Sequence, residues 1–320
     1  MLQCQPCIHI RHTRTPMKIL SLPLAKPLWH LTVRACPRLA VPLFYNAAVG
    51  GGKKLELNNP RDINQKIQWL KLHADQHEWA RLADKYAVRQ YVKDRGLEDI
   101  LVPLYGKWDT ADALMAGWEG LPDQFVLKTN NSCGTIILVK DKQTADKQAI
   151  RKQLGAWLAM KNVGIHAVEL HYRYIRPCII AEQLLQDPTV AEFSRSLIDY
   201  KIWAFDGRPH SCFLAYDRDI TRGTHIFDVY DLDWQEHTEY MSDAQVPRHP
   251  VPRPPHYKRM LEVAAILSKG HPQMRVDLYN VGGQIYFGEC TMTAQGGYMD
   301  YFTDDFLEEL GRQCHLPIDP

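Results

Sequence analysis

The chain has 320 residues and lacks any apolar run near the ~20 residues that a helix needs to cross a bilayer. Its longest weakly apolar stretch, residues 35–49, is broken by Pro37, Arg38 and Pro42. No clean apolar core followed by a small-residue cleavage site opens it, so the start does not read as a signal peptide. The net charge of +1 offers no overall argument for binding nucleic acid. Internal repeats and low-complexity tracts are absent. So is a disulfide framework: the eight cysteines are scattered. Several fall in predicted strands, where free cysteine acts as a small hydrophobe, and the pattern reads as a reducing cytosol. Cys4 and Cys7 form a lone C-x-x-C near His9 and His12, a weak signal for zinc. The sharpest absence is local. No Asp or Glu precedes Glu56, whereas Arg11, Arg14, Lys18, Lys26, Arg34, Arg38, Lys53 and Lys54 do. This basic, proline-broken start could lie on an anionic membrane surface, on an acidic polymer, or form a poorly ordered extension. Met17-Lys18-Ile19-Leu20 reads as an alternative start.

What is present is ordinary for a globular protein: 45% hydrophobic and 23% charged residues, enough for one large domain or two joined lobes. Ordered structure is expected from about Leu55. Asn59-Pro60-Arg61-Asp62 starts a helix with Ile63, Ile67 and Leu70 at helical spacing. One helix is predicted over residues 77–95, and further helices over 111–116, 144–160, 256–268 and 302–310. Strands are predicted over residues 100–105, 178–185 and 200–205, with a hairpin partner over 208–215 after an Asp206-Gly207 turn. Residues 217–256 read as irregular. Helices and short antiparallel strands mix throughout, which predicts an α+β fold rather than a doubly wound parallel sheet.

Phe125-Val126-Leu127-Lys128-Thr129-Asn130-Asn131-Ser132-Cys133-Gly134 carries the most information. An apolar strand runs into Lys128 and then a small polar loop ending in Gly134, before a second apolar strand over residues 135–139. A strand-fixed lysine beside a loop of free N–H groups suits a phosphate; a plain hairpin whose lysine ends a strand is the alternative. A second unit spans residues 275–291. Arg275 and Asp277 share a strand face, as do Glu289 and Thr291 on the return strand. A three-residue loop, Gly282 to Gln284, or a bulge would set Asp277 opposite Glu289, ~5 Å apart, a spacing that needs a cation such as Mg²⁺. A two-residue Gly282-Gly283 turn would send Glu289 to the other face. The alternative is a surface hairpin with Arg275 salt-bridged to a carboxylate. Glu182 at the exit of an apolar strand could accept from an adenine amino group. Asp199 and Lys201 share a strand face, and Lys85 and Arg89 are four apart on the 77–95 helix. The plain alternatives are a strand that merely ends in Glu182, an ion pair of Asp199 and Lys201 with neighbours, and a solvated helix face for Lys85 and Arg89.

The order of these units is that of the ATP-grasp fold. The chain resembles the TupA-like, teichuronopeptide-biosynthesis type of ATP-grasp protein found among bacterial surface-polysaccharide genes. The carrying residues are 64–72 (Asn-Gln-Lys-Ile-Gln-Trp-Leu-Lys-Leu), 83–89, 121–130, Asp199-Tyr200-Lys201, 230–234, 275–279 and 285–289, and the likeness covers about residues 55–312. It implies two α+β lobes with the nucleotide between them. The implied divisions are a basic segment (1–45), a helical and pre-ATP-grasp region (46–120), a smaller lobe (121–184), a larger lobe with the metal hairpin (185–312) and a tail (313–320). It further implies ATP and Mg²⁺ as cofactors. Lys85 and Lys128 match phosphate ligands, with Ser132 and Gly134 in the phosphate loop. Glu182 matches the acid at the adenine, and Asp199, with Lys201 on the same strand face, falls at a ribose-binding position. Asp277 and Glu289 match metal ligands. Thr291 stands where the wider superfamily often has asparagine. Arg275 matches an arginine that neutralises charge as an acyl phosphate and a tetrahedral intermediate form. Close relatives have Asn-His-Gly-Ser-Gly where this chain has Asn130-Asn131-Ser132-Cys133-Gly134, losing a glycine and the histidine.

The implied activity is ATP-dependent carboxylate–amine ligation in surface-polysaccharide biosynthesis. Its partners would be a uronic acid glycan or amino acid and an amine acceptor, with no nucleic acid. The expected location is the cytoplasm, with peripheral contact at the inner membrane face through the basic start. The rivals are a glycosyltransferase or phosphotransferase, and a nucleotide-binding protein without ligase chemistry.

Overall fold

A computed structural model describes residues 25–49, 54–219, 224–242 and 250–317. The Cys4–Cys7 pair and the Met17 start lie outside the described residues. Two helices, α1 (Ala25–Ala35) and α2 (Pro37–Val49), form before Leu55, where no element is expected from the sequence. Proline misled that reading: Pro37 sits at the first helical position, where its missing N–H costs nothing. Val33, Ala40, Val41, Phe44, Tyr45 and Ala48 are buried against Ile165, Ala167, Val168 and Tyr298.

Helix α3 (Ile63–His73) starts at Asp62, whose side chain accepts from the Gln65 N–H at 2.8 Å. The single helix expected over residues 77–95 is instead two, α4 (Gln76–Ala83) and α5 (Val88–Asp94). Asp84 breaks it: its carboxylate accepts from the N–H groups of Tyr86 and Ala87 at 2.8 and 3.1 Å, offering the backbone a turn in place of a helix. Short helices α6 (Ala111–Ala116) and α7 (Lys147–Leu158) follow, then α8 (Tyr257–Ser268) and α9 (Asp304–Gln313).

The strands form two antiparallel sheets. In the smaller, β1 (Leu104–Trp108), β4 (Ile179–Glu182), β2 (Phe125–Thr129) and β3 (Ile136–Val139) lie in that order. The strand expected over residues 100–105 begins at Leu104, with Glu98–Ile100 a single helical turn. In the larger, the order is β7 (Thr224–Tyr230), β6 (Arg208–Asp219), β5 (Asp199–Phe205), β8 (Met274–Val281) and β9 (Gln284–Thr291). The β5–β6 hairpin turns at Asp206-Gly207, both with positive φ (44° and 81°), the two-residue turn that the sequence predicts. Strand β7 falls in the stretch expected to be irregular. Asp228 hid it: the residue sits at a core position, fully buried, and its carboxylate accepts from the Tyr216 hydroxyl at 2.7 Å. A charged residue there breaks the apolar alternation by which a strand is recognised.

Candidate active site

Helices pack on one face of each sheet, and on the other face of the larger sheet Trp203 and Phe213 pack against Phe302, just before α9. Phe125, Leu127, Ile137, Val139, Ile179 and Ala181 of the smaller sheet pack against Leu114, Trp118, Ile150, Leu154 and Trp157. Cross-strand pairs place Lys128, Ile136 and Ile180 on the opposite face, with Val126, Leu138 and Glu182 beside them. Ile136 and Leu138 are 41% and 44% exposed there. In the larger sheet α8 packs against β5, β6 and β8, covering Ile202, Val276 and Leu278. By alternation, Asp199, Lys201, Arg275, Asp277, Glu289 and Thr291 take the other face.

The register of the β8–β9 hairpin is the decisive local feature. Val281 pairs with Gln284, so the turn is the two-residue Gly282-Gly283 form, not the three-residue loop. Continued without interruption, that register would oppose Asp277 to Gly288 and turn Glu289 toward α8. A bulge between Asp277 and Leu278 absorbs one residue, so that Leu278 pairs with Phe287 and Asp277 with Glu289. Arg275 then opposes Thr291. Glycine is required at the bulge: a Cβ at Gly288 would lie 2.9 Å from the Asp277 carbonyl oxygen.

A charge network results. Arg275 donates from Nε to Asp277 Oδ1 at 2.7 Å and from Nη2 to Asp277 Oδ2 at 2.8 Å. The same Nη2 reaches Thr291 Oγ1 at 3.1 Å and Glu289 Oε1 at 3.4 Å, and Thr291 in turn donates to Glu289 Oε1 at 3.1 Å. Lys201 donates to Asp277 and lies 3.4 Å from Asp199, which also accepts from Arg218. Burial pushes the Asp277 carboxyl up, and Arg275 and Lys201 only partly offset this. Burial also opposes the charge on Glu289, yet Lys201, Arg275 and Lys85 hold it below the usual range. Asp199 behaves likewise, held down against burial by Lys201, Arg218 and Tyr279.

On the smaller sheet, Lys128 donates to Glu182 Oε2 at 2.8 Å, and Arg89 donates to Glu182 Oε1 at 2.8 Å and to the Val102 carbonyl at 2.9 Å. Both Glu182 oxygens therefore answer cations, a role beyond the adenine contact expected of it. Lys85 lies in the turn between α4 and α5, not on a helix face shared with Arg89. It is brought to the site all the same. Its N–H donates to Asn130 O at 3.4 Å and its ammonium to Ser132 O. Burial lowers its pKa, and the charges acting on it include Glu289 from the larger sheet and Lys128 and Glu182 from the smaller. Lys85 thus lies within electrostatic reach of charged groups on both sheets. In the phosphate loop Gly134 has φ +69°, while the Ser132 hydroxyl donates to Cys133 O at 3.3 Å. Asn130 fixes the loop to the smaller sheet, accepting from Cys178 N at 2.7 Å, and the buried Asn131 Oδ1 has no partner among the described residues.

Three contributors went unrecognised in the sequence. Arg89 read as a solvated helix residue. Arg218 fell in a stretch without pattern. Tyr279 had a usable signal, since it follows Asp277 by two and so shares its face. The motif at residues 64–72 also finds a use. Asn64, Gln68 and Lys71 share one face of α3 and grip the loop after β9: Asn64 exchanges hydrogen bonds with Met299, and Gln68 donates to Gly296 O and Gly297 O at 3.0 and 2.8 Å. The Lys71 ammonium, buried and pushed down to about 7 against the pull of Glu169, donates to Ala167 O at 2.7 Å and to Gly296 O.

The donor set of Asp277, Glu289 and Thr291 consists of hard oxygens gathered on one sheet face, a set that fits Mg²⁺, with Arg275 and Lys201 on Asp277 in this structure. Among the described residues no group of three or more His, Cys, Asp or Glu side chains forms a metal cluster. A metal here would share its shell with phosphate and water, as Mg²⁺ commonly does.

Two antiparallel sheets with a lysine-bearing loop on one and an Arg-x-Asp/Glu-x-Thr hairpin on the other define an ATP-grasp protein. The family model for TupA-like ATP-grasp matches residues 65–315, and the chain belongs to that family. Solved structures with similar folds include D-alanine–D-alanine ligase from Helicobacter pylori, at 16% identity and TM-score 0.40, covering 74% of this chain and 61% of that one. L-amino acid ligase from Bacillus licheniformis gives 11% identity and TM-score 0.47, covering 83% and 58%. N5-carboxyaminoimidazole synthetase from Staphylococcus aureus complexed with ADP gives 14% and 0.39, covering 71% and 50%. The chain spans only half to three fifths of the length of these three ligases. No curated protein matches it.

Proposed function

We propose that the protein is an ATP-dependent carboxylate–amine ligase that acts on a bacterial surface polysaccharide, its smaller lobe being residues 121–184 together with β1 and α6, and its larger lobe residues 185–312. The observation that supports this best is the bulge-set register, which gathers Arg275, Asp277, Glu289, Thr291 and Lys201 on one face. In this reading the base lies on Ile136 and Leu138, and Lys128, Lys85 and the loop through Ser132 and Gly134 take the phosphates. Asp277, Glu289 and Thr291 would hold Mg²⁺, which when bound neutralises phosphate charge. A carboxylate oxygen of the acceptor, a uronic acid residue or an amino acid, attacks the γ-phosphorus. An acyl phosphate forms and ADP leaves. The amine then attacks the acyl carbon, the tetrahedral intermediate expels inorganic phosphate, and the amine gives up a proton as the amide forms. Arg275 is the charge-neutralising group for both negatively charged stages. Burial with Asp277 keeps its guanidinium fixed before the reaction, which makes it effective. Holding both reactants side by side supplies much of the rate.

The test mixes ATP and Mg²⁺ with amino acids and uronate glycans and follows ADP, phosphate and amide. Amine-dependent ADP release with stoichiometric amide supports the reading. ADP release with a phosphorylated product and no amide would instead make the protein a phosphotransferase. The altered loop, whose Ser132 hydroxyl is turned to its own backbone, keeps a binding-only reading open; nucleotide binding without turnover over the whole panel would establish it. For the basic start, contact with a membrane or an acidic glycan completes the proposal.

A further inference from the structure

Besides the buried side already described, each helix of the α1–α2 hairpin carries a pair of exposed leucines: Leu28 and Leu31, three apart on α1, and Leu39 and Leu43, four apart on α2, are 65%, 63%, 56% and 54% exposed. They are the four most exposed large hydrophobic side chains of the described residues. A helix apolar all round is normally enclosed; α2, with buried Ala40, Val41, Phe44, Tyr45 and Ala48 on one side and Leu39 and Leu43 on the other, is not. Around these leucines Lys26, Arg34 and Arg38 are exposed, and neither helix contains an acidic residue.

We propose that this hairpin lies in the interface of an anionic lipid bilayer, with Leu28, Leu31, Leu39 and Leu43 entering the acyl boundary and Lys26, Arg34 and Arg38 meeting the headgroups. The charge decides the occupant. A second copy would bring the same cations face to face. A soluble acidic glycan would satisfy the cations and leave the leucines in water. An anionic bilayer satisfies both. The helices, of 11 and 13 residues, are too short to cross a membrane, and no described helix is long and apolar enough to do so. The attachment is therefore one-sided. It also fixes the orientation of the catalytic half. Arg34 donates to Asn162 Oδ1 at 2.5 Å, and the Phe44 ring stacks edge-on against Tyr298 at 5.3 Å, in the loop that α3 grips. This inference narrows the peripheral-contact part of the proposed function and is independent of the ligase chemistry.

The experiment is co-sedimentation of the full chain with vesicles of phosphatidylcholine alone or with one third phosphatidylglycerol, beside a soluble uronate polymer. ATP binding and circular dichroism serve as checks of folding for each variant. Wild type should partition onto the anionic vesicles. The quadruple change of Leu28, Leu31, Leu39 and Leu43 to Asn should weaken this at least about tenfold, as should Arg34→Glu with Arg38→Glu, while both variants keep ATP binding. The proposal is overturned by wild type that stays in the supernatant. It is equally overturned by a leucine variant that binds vesicles like wild type, by stronger binding to the polymer than to vesicles, or by a dimer that the leucine changes dissolve. Absence of ligase activity in the same preparation would bear only on the proposed chemistry.

Discussion

The two sheets solve the same packing problem and leave opposite surfaces. Each buries one face under helices. The smaller exposes Ile136 and Leu138 around one ion-paired lysine, whereas the larger carries a largely buried network from Asp199 through Lys201, Asp277 and Arg275 to the more open Glu289. An apolar, lightly charged face suits a flat base. A buried network of paired charges suits phosphate and metal, because it is rigid before the ligand arrives and its groups are already desolvated. The division of labour proposed for the protein follows from this contrast.

It can be broken most severely at the bulge. Gly288→Val places side-chain atoms against the Asp277 carbonyl and forces Glu289 out of line, so ATP turnover should fall more than about a hundredfold. Stability should drop by about 1–3 kcal/mol, read by denaturant titration. A smaller step is Arg275→Lys. It keeps the charge and loses the planar fork that spans Asp277, Glu289 and Thr291, and kcat should fall about tenfold to a hundredfold with KM for ATP little changed. On the other sheet, Ile136→Asn with Leu138→Asn should act through binding, raising KM for ATP about tenfold and leaving that for triphosphate competition unaltered. Equal effects on kcat from both faces would dissolve the contrast.

The smallest effect lies outside both faces. His171 is buried beside Lys71, and burial lowers its pKa from 6.5 to about 3. The unfolded chain binds a proton there between these values and the folded chain does not, so its contribution to stability is full above 6.5 and is lost as pH falls toward 3. His171→Gln should remove up to about 2 kcal/mol of the stability difference between pH 7 and pH 5, measured by denaturation at each pH.

Strand patterning is more legible in the sequence than the contacts that join distant segments. Lys128 is legible as the end of an apolar strand running into a polar loop, and Asp277 shares a face with Arg275 by the strand period of two, whereas the face of Glu289 depends on which turn forms. The two-residue turn and a bulge are both readable as possibilities, but the bulge's place is not, since Gly288 differs from an ordinary strand glycine only in what its absent Cβ would strike. Asp84 and Asp228 defeated the reading for one reason: each is a polar residue satisfied by a specific partner, and partners are a property of the fold. Arg89 and Arg218 were invisible for the same cause, their significance lying in Glu182 and Asp199, 93 and 19 residues away. Helices α1 and α2 were missed because prolines were read as interruptions.

The central claim is that the charged face of the hairpin binds nucleotide through Mg²⁺. It is tested most directly by calorimetric titration of ATP, with and without Mg²⁺, into wild type and Asp277→Asn. The account predicts that Mg²⁺ tightens ATP binding to wild type by at least about tenfold and that Asp277→Asn, folded by circular dichroism, loses that enhancement. Equal enhancement by Mg²⁺ in both proteins would contradict it.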